Sequence, residues 1–334
     1  MNKKIKLFIT GHSGMLAKSI IDKLDLNLYE LIYFDDLANY SNQFHYLRKK
    51  LIKEKEIDIT NTKILDKISN YLDKNSIIIH TAAYVNTDKC DAFIYEAIKS
   101  NVLGTQNLIN IVKKVGCKII NFSTTAIYDP DEYNKNNGIF VESDKIDPKT
   151  TYGLTKYNAE LVVKQSLNKF EHITIKPVFI YGDIPFDNSS MIRKIIEKVY
   201  LGNKIKKLDV LLDPFINKDY MRYEYFADMF IHLLNAAIID KNIWGNDYII
   251  SRDDPKQFDF YLNTICKVME IDKNYLYKFI NIIPNKDYLG NHNGISKNFY
   301  KKFPDFKLNK NVKNDYEGIK KTYISIKRFY EKDY

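Results

Sequence analysis

Tyr152 and Lys156 stand four residues apart in the run Thr-Tyr-Gly-Leu-Thr-Lys. On a helix that spacing sets both side chains on one face. An ammonium beside a phenol favours the phenolate and is expected to lower the tyrosine pKa from about 10. A phenol tuned in this way can exchange a proton with a hydroxyl or carbonyl while a hydride moves. The spacing alone carries little information in a chain with 26 tyrosines, because Tyr46/Lys50, Tyr95/Lys99, Tyr200/Lys204, Tyr316/Lys320 and Tyr323/Lys327 repeat it. Context separates Tyr152 from these. It opens a predicted helix, Thr151 to Asn168, just after Asp147-Pro148. It also lies downstream of Ser123-Thr124-Thr125, hydroxyls that end the apolar run Lys118 to Phe122.

A second group lies near the start of the chain. Thr10 to Ala17 read Thr-Gly-His-Ser-Gly-Met-Leu-Ala, between a predicted strand, Ile5 to Ile9, and a predicted helix, Met15 to Leu24. Gly11 and Gly14 let a strand turn sharply into a helix, and their bare backbone lets a diphosphate approach the helix end. Ser13, Met15 and Leu16 belong to the same turn, and Ala17 is the small residue that lets the helix pack on a sheet. The next apolar run, Leu31 to Phe34, ends at Asp35 and Asp36. An acidic side chain there accepts hydrogen bonds from ribose hydroxyls and repels a 2′-phosphate, which selects NAD over NADP.

These groups need a scaffold, and the pattern supplies one. Apolar runs at Ser76 to His80, Lys118 to Phe122 and Ile173 to Lys176 alternate with helical patterns at Ala92 to Val115 and Thr151 to Asn168. Such alternation predicts an α/β chain with a Rossmann-type, doubly wound parallel sheet. After Pro177 the rhythm loosens, and Pro185, Pro214, Pro255, Pro284 and Pro304 divide the rest into shorter pieces. The expected division is a dinucleotide-binding domain at 1–178, rejoined by a segment near 215–250, and a smaller, less regular, discontinuous substrate domain at 179–334.

Composition narrows the function classes. A length of 334 residues with 45% hydrophobic content suits a two-domain enzyme. The net charge of +9 comes from lysines spread through every segment. No basic patch interleaved with aromatic residues can be placed, so no nucleic-acid partner is expected. The basic start Lys3, Lys4 and Lys6 precedes an apolar stretch far too short for a signal peptide, and no run is long enough to span a membrane. Cys90, Cys117 and Cys266 show no paired spacing, which fits a reducing cytoplasm. The six histidines are dispersed, and no metal site is expected.

Taken together, these motifs resemble the extended short-chain dehydrogenase/reductase family, in its NAD-dependent epimerase/dehydratase type acting on nucleotide sugars. The similarity covers most of the chain and is strongest up to Lys176. Its glycine motif matches Gly11, Gly14 and Ala17, with alanine at the usual third glycine. Its catalytic Ser/Thr, Tyr and Lys match Thr124, Tyr152 and Lys156. The resemblance implies that Asp58 and Ile59 contact adenine, and that Thr81, Ala82 and Ala83 cover the cofactor. It places Asn101 on the helix beside the active site. It further implies a homodimer built on the helices Ala92 to Val115 and Thr151 to Asn168, and a part in polysaccharide biosynthesis.

Within the family, Gly-Met-Leu-Ala at 14 to 17 and Asn86-Thr-Asp-Lys-Cys-Asp91 resemble reductases of 4-keto-6-deoxy sugars. Phe179 stands where epimerases and dehydratases usually carry asparagine. Thr125-Ala126 replaces the Asp-Glu pair that dehydratases use to eliminate water. Tyr84, Thr125, Phe179, Asn188 and Ser189 are the expected lining of a sugar pocket. Arg193 and Arg222 are candidates for a substrate diphosphate, because guanidinium forks match paired phosphate oxygens. The implied activity is reduction at C4 of a 4-keto-6-deoxy sugar nucleotide by NAD(P)H. The alternatives are a 4-epimerase with tightly held NAD and a non-catalytic scaffold that keeps the cofactor fold.

Overall fold

The computed structural model of the chain describes residues 3–12, 14–34, 58–130, 138–183, 190–202, 206–283, 293–307 and 314–331. They form two compact units. The first comprises Met1–Ile127, Ile146–Pro177 and Met229–Tyr248; the second comprises Tyr128–Lys145, Val178–Asp228 and Ile249–Tyr334.

A six-stranded sheet forms the centre of the first unit. From one edge its strands run Asp247–Ile250, His172–Pro177, Lys118–Phe122, Ile77–His80, Ile5–Thr10 and Tyr29–Phe34. The pairings from His172–Pro177 across to Tyr29–Phe34 are parallel. Parallel strands are covered on both faces, which is why Leu7, Phe8, Ile9, Ile78, Ile79, Ile119 and Ile120 are all fully buried. From the strand Ile5–Thr10 the chain runs outward to Tyr29–Phe34, whereas Ile77–His80 lies on the opposite side. That reversal is a topological switch point, where open α/β sheets leave a crevice beyond the strand ends. Gly11 and Thr81 are the residues that follow the two strands flanking it.

The helices differ from the sequence expectation in one informative way. The pattern predicts one helix from Ala92 to Val115, but the structure has helices Thr87–Ala92 and Ile94–Ile98, a π-helical turn at Lys99–Leu103, and a helix Gly104–Val115. The first break is at Phe93, whose backbone leaves the helical region (φ −130, ψ 61). The π turn holds Asn101, and such widened turns collect at functional positions. The helix Thr151–Ser166 begins where predicted, with the Thr150 hydroxyl accepting the Gly153 N–H at 3.0 Å.

The second unit packs helices Met191–Tyr200, Phe258–Met269 and Asp315–Glu331 around Ile192, Ile195, Ile196, Leu262, Ile265, Ile319 and Ile326. Its polar hub is Arg252. That guanidinium donates to Asp315 Oδ1 at 2.6 Å, to the Asp254 carbonyl at 2.7 Å and to the Tyr261 hydroxyl at 3.1 Å. Among the described residues, no helix is long and apolar enough to cross a membrane.

Candidate active site

The glycine loop closes tightly on the neighbouring strand end. Gly11 takes φ +65, and a Cβ there would fall 2.7 Å from the Ala82 backbone nitrogen. Gly14 donates its N–H to the Gly11 carbonyl at 2.9 Å and opens the helix Met15–Ile21 with no side-chain cap. A side chain at Gly11 would therefore push apart two strand ends that the loop holds together. The bare backbone of this turn is the surface that a dinucleotide diphosphate requires, so the residues fit such a cofactor. Thr81 and Ala82 take part directly: Thr81 Oγ1 donates to the Thr10 carbonyl at 2.7 Å, and the Ala82 N–H reaches Thr10 Oγ1 at 3.2 Å. Met15, Leu16 and Ala83 are partly buried beside them.

Asn101 fastens the broken helix to the strand end at Tyr84. Its Oδ1 accepts the Tyr84 N–H at 2.7 Å, and its Nδ2 donates to the Tyr84 carbonyl at 3.1 Å and to Thr155 Oγ1 at 3.0 Å. Thr155 in turn donates to the Tyr152 carbonyl at 2.9 Å. Asn101 thus acts on the helix that carries Tyr152 and Lys156, through its backbone.

Tyr152 meets Thr124 because this helix starts almost in contact with the turn Thr125–Ile127. A Cβ on Gly153 would lie 2.5 Å from the Ala126 carbonyl oxygen, so only glycine allows the approach. The Thr124 hydroxyl is a polar neighbour of the Tyr152 phenol and accepts the Ala126 N–H at 3.2 Å. The electrostatics of the phenol correct the sequence expectation. Burial pushes the phenol up to about 12; the Thr124 hydroxyl works downward and Cys90 adds to the rise. Burial also pushes Lys156 down to about 8, against the pull of Glu160 one turn further on. Desolvation opposes the charged form of each group. The pair therefore rests as a neutral phenol beside an ammonium, and not as a phenolate.

Asp58 and Ile59 are tied into the fold. Both Asp58 carboxylate oxygens accept from Thr60, at 2.7 and 2.6 Å, and Ile59 is buried against Gly104. Thr125 is buried in its turn. In the reductase-like stretch, Asn86 Oδ1 caps the helix Thr87–Ala92 by accepting the Lys89 N–H at 2.9 Å. Asp91 Oδ1 accepts the Thr151 N–H at 3.3 Å.

Phe179, Arg193 and Arg222 lie in the second unit. Phe179 packs on Tyr220 with ring centroids 5.4 Å apart. Arg193 is buried on the helix Met191–Tyr200, and Arg222 is buried and hydrogen-bonded to Glu224. Lys218, which opens the stretch Lys218-Asp-Tyr-Met-Arg222, is also buried there and pushed down to about 7 by desolvation. Ser13, Asp35, Asp36, Asn188 and Ser189 fall outside the described residues.

Thr10 and His80 open the stretches Thr10 to Ala17 and His80 to Ala83 but are not among the expected site residues; each is a polar residue closing an otherwise apolar run. Thr10 Oγ1 and His80 Nδ1 lie 2.9 Å apart, and His80 Nε2 lies 2.9 Å from Thr105 Oγ1. A polar last residue on a buried strand was the available signal.

The chain is similar to known proteins along most of its length. The model of the NAD dependent epimerase/dehydratase family matches residues 7–238. A putative UDP-glucose 4-epimerase of Methanocaldococcus jannaschii is 28% identical over 182 residues, covering 53% of this chain and 56% of the relative. Across three of the curated relatives it matches, the chain spans 32% to 56% of their length. Among solved structures, a UDP-glucose 4-epimerase of Thermotoga maritima superposes with a TM-score of 0.77 at 18% identity, covering 98% of this chain and 100% of that one. A dTDP-4-dehydrorhamnose reductase of Clostridium acetobutylicum gives 0.68 at 20% identity, covering 97% and 100%.

Proposed function

Because the chain belongs to the NAD dependent epimerase/dehydratase family, we propose that it is a nicotinamide-dependent oxidoreductase that reduces C4 of a 4-keto-6-deoxy sugar nucleotide. The observation that carries this reading is Tyr152 and Lys156 one turn apart on a helix that starts against the turn following Thr124, and the reductase-like stretch Asn86 to Asp91 with Phe179 favours reduction over epimerisation. The phenol, raised by burial, is protonated at neutral pH and has a proton to give. A bound nicotinamide cofactor supplies the hydride. Tyr152 gives its proton to the C4 oxygen, Thr124 orients that oxygen, and the Lys156 charge favours the phenolate that remains.

The Gly11–Gly14 turn would hold the cofactor diphosphate, with Met15, Leu16, Thr81, Ala82 and Ala83 beside it and Asn101 fixing the helix that carries Tyr152. Asp35 and Asp36 select NAD over NADP. Arg193 and Arg222 remain the candidates for the substrate diphosphate, and Tyr84, Thr125, Phe179, Asn188 and Ser189 those for contact with the sugar. Thr125-Ala126, in place of an acidic pair, leaves no acid and base for dehydration. A homodimer accounts for the apolar residues displayed on the helices Ile94–Ile98 and Thr151–Ser166, among them Tyr95 at 70% and Leu154 at 48% exposure.

The second reading, a 4-epimerase, is favoured by the similarity to UDP-glucose 4-epimerases. One incubation separates the two. With NADH and a 4-keto-6-deoxy sugar nucleotide, a reductase consumes reduced cofactor in step with product. Interconversion of two 4-hydroxy sugar nucleotides with no cofactor consumed establishes the epimerase. If neither occurs, both readings are overturned.

A further inference from the structure

His80 ends a strand that is otherwise apolar, and it is completely buried. Its register neighbours are Thr10 on one strand and Asn121 on the other. The hydrogen bonds around its ring leave a single tautomer. Thr105 Oγ1 gives its proton to the Asn101 carbonyl at 2.7 Å, so it accepts from His80 Nε2–H. Thr10 Oγ1 accepts the Ala82 N–H and gives its own proton to His80 Nδ1. The result is a directed chain with no gap: Ala82 N–H to Thr10, Thr10 to His80, His80 to Thr105, and Thr105 to the Asn101 carbonyl. The Asn101 side chain then continues it to Thr155, and Thr155 to the backbone of Tyr152.

We propose that His80 is a positioning residue: through Thr10 it fixes the strand ends under the glycine loop, and through Thr105 and Asn101 it sets the helix that carries Tyr152 and Lys156. The inference rests on the reading of those two residues as the reacting pair. Every side chain in the chain is buried: Thr10, His80 and Thr105 at 0%, Asn101 at 1% and Thr155 at 2% exposure. No water competes for these bonds, so their geometry is held. Burial, with Lys156 adding to it, keeps the imidazole neutral, its pKa pushed down to about 3. Nδ1 thus remains an acceptor and Nε2 a donor throughout the working pH range. An aliphatic residue would fill the same space with no polar group to satisfy. The histidine's particular contribution is a fixed donor on one side and a fixed acceptor on the other.

Three variants test the two arms. His80→Leu removes both. The Asn amide reaches the Nδ1 position, so His80→Asn keeps the Thr10 arm. The Gln amide reaches the Nε2 position, so His80→Gln keeps the Thr105 arm. The readouts are the NADH dissociation constant by fluorescence titration, kcat and KM separately, melting temperature, and the imidazole 15N spectrum. His80→Leu should weaken NADH by about fivefold or more and lower kcat by about tenfold or more, with KM for the sugar within about twofold. His80→Asn should recover NADH binding without kcat, and His80→Gln should recover kcat without NADH binding. Lower melting temperatures with unchanged kcat and NADH binding would overturn the proposal, as would a wild-type spectrum of the Nδ1–H tautomer or of imidazolium at neutral pH. Thr105→Val, which cuts the same arm without touching the ring, should reproduce the kcat loss should His80→Leu fail to fold. If the wild type shows the Nε2–H tautomer yet turns over no sugar nucleotide, the reaction reading fails, and NADH binding with the spectrum still decides the role of His80.

Discussion

Lys176 and Glu160 form an ion pair at 3.2 Å with both side chains fully buried, and Glu160 lies one helical turn beyond Lys156. Asp247 closes on the same lysine at 2.7 Å, and Lys164 bridges Glu160 and Asp247 at 2.6 and 2.7 Å. A charge cluster therefore joins the helix Thr151–Ser166 to two sheet strands. It also places a carboxylate where it holds the Lys156 ammonium against desolvation.

Activity in the reducing direction should fall as pH rises through about 8, because Lys156 loses its proton there and no longer supports the Tyr152 phenolate. Glu160→Gln removes the influence that raises Lys156, so the alkaline limb should move to lower pH. A limb that stays in place, seen in kcat/KM profiles of the two proteins, would show that Glu160 does not act on Lys156. Glu160→Ala leaves Lys176 with one carboxylate in a dry interior and should cost about 3 kcal/mol or more of stability in urea unfolding.

Tyr152→Phe should lower turnover by about 100-fold or more while leaving NADH affinity nearly intact, since the lost atom is the proton donor and the ring stays. Lys156→Ala should impair both turnover and cofactor affinity. Initial rates and fluorescence titrations of the two variants check this directly, and near-normal turnover in Tyr152→Phe would remove Tyr152 from the mechanism.

NADH should bind more tightly than NADPH, and Asp35→Ala should narrow the difference, if the carboxylate has its proposed role of accepting from the ribose hydroxyls and repelling a 2′-phosphate. Parallel titrations with the two cofactors measure it. A wild-type preference for NADPH would contradict the role given to Asp35.

The protein should be a homodimer at micromolar concentration by light scattering. Phe93, Ile94, Tyr95 and Leu103 are exposed on the segment that holds Asn101, an apolar surface that association would cover. Tyr95→Glu combined with Ile94→Lys should yield monomers, since a charge facing an apolar partner surface is costly to bury. An unchanged dimer mass in that variant would place the interface elsewhere.

Much of the site was legible from the chain because it is written in local patterns. Gly11 and Gly14 sit between an apolar run and an amphipathic one, and a strand–turn–helix with bare backbone follows from sterics alone. The continuous apolar runs at Ser76 to His80 and Lys118 to Phe122 mark strands covered on both faces, and hence a parallel sheet. Tyr152 and Lys156 share a helix face by virtue of spacing. Even the start of that helix is local, set by the Thr150 cap.

What tertiary structure decided depends on partners far away in sequence. The Tyr152 phenol rises to about 12 because its surroundings are dry, a fact that the four-residue spacing to Lys156 does not contain. The helix predicted across Ala92 to Val115 breaks and widens so that Asn101 can hold Tyr84 and Thr155, 17 and 54 residues away in the chain. Thr10 and His80, 70 residues apart, meet only because their strands pair in register. Periodicity reports which face a residue takes, but sheet order and register report which residue stands beside it. The neutral phenol, the polar chain through His80 and the buried charges at Glu160 all rest on that second kind of information.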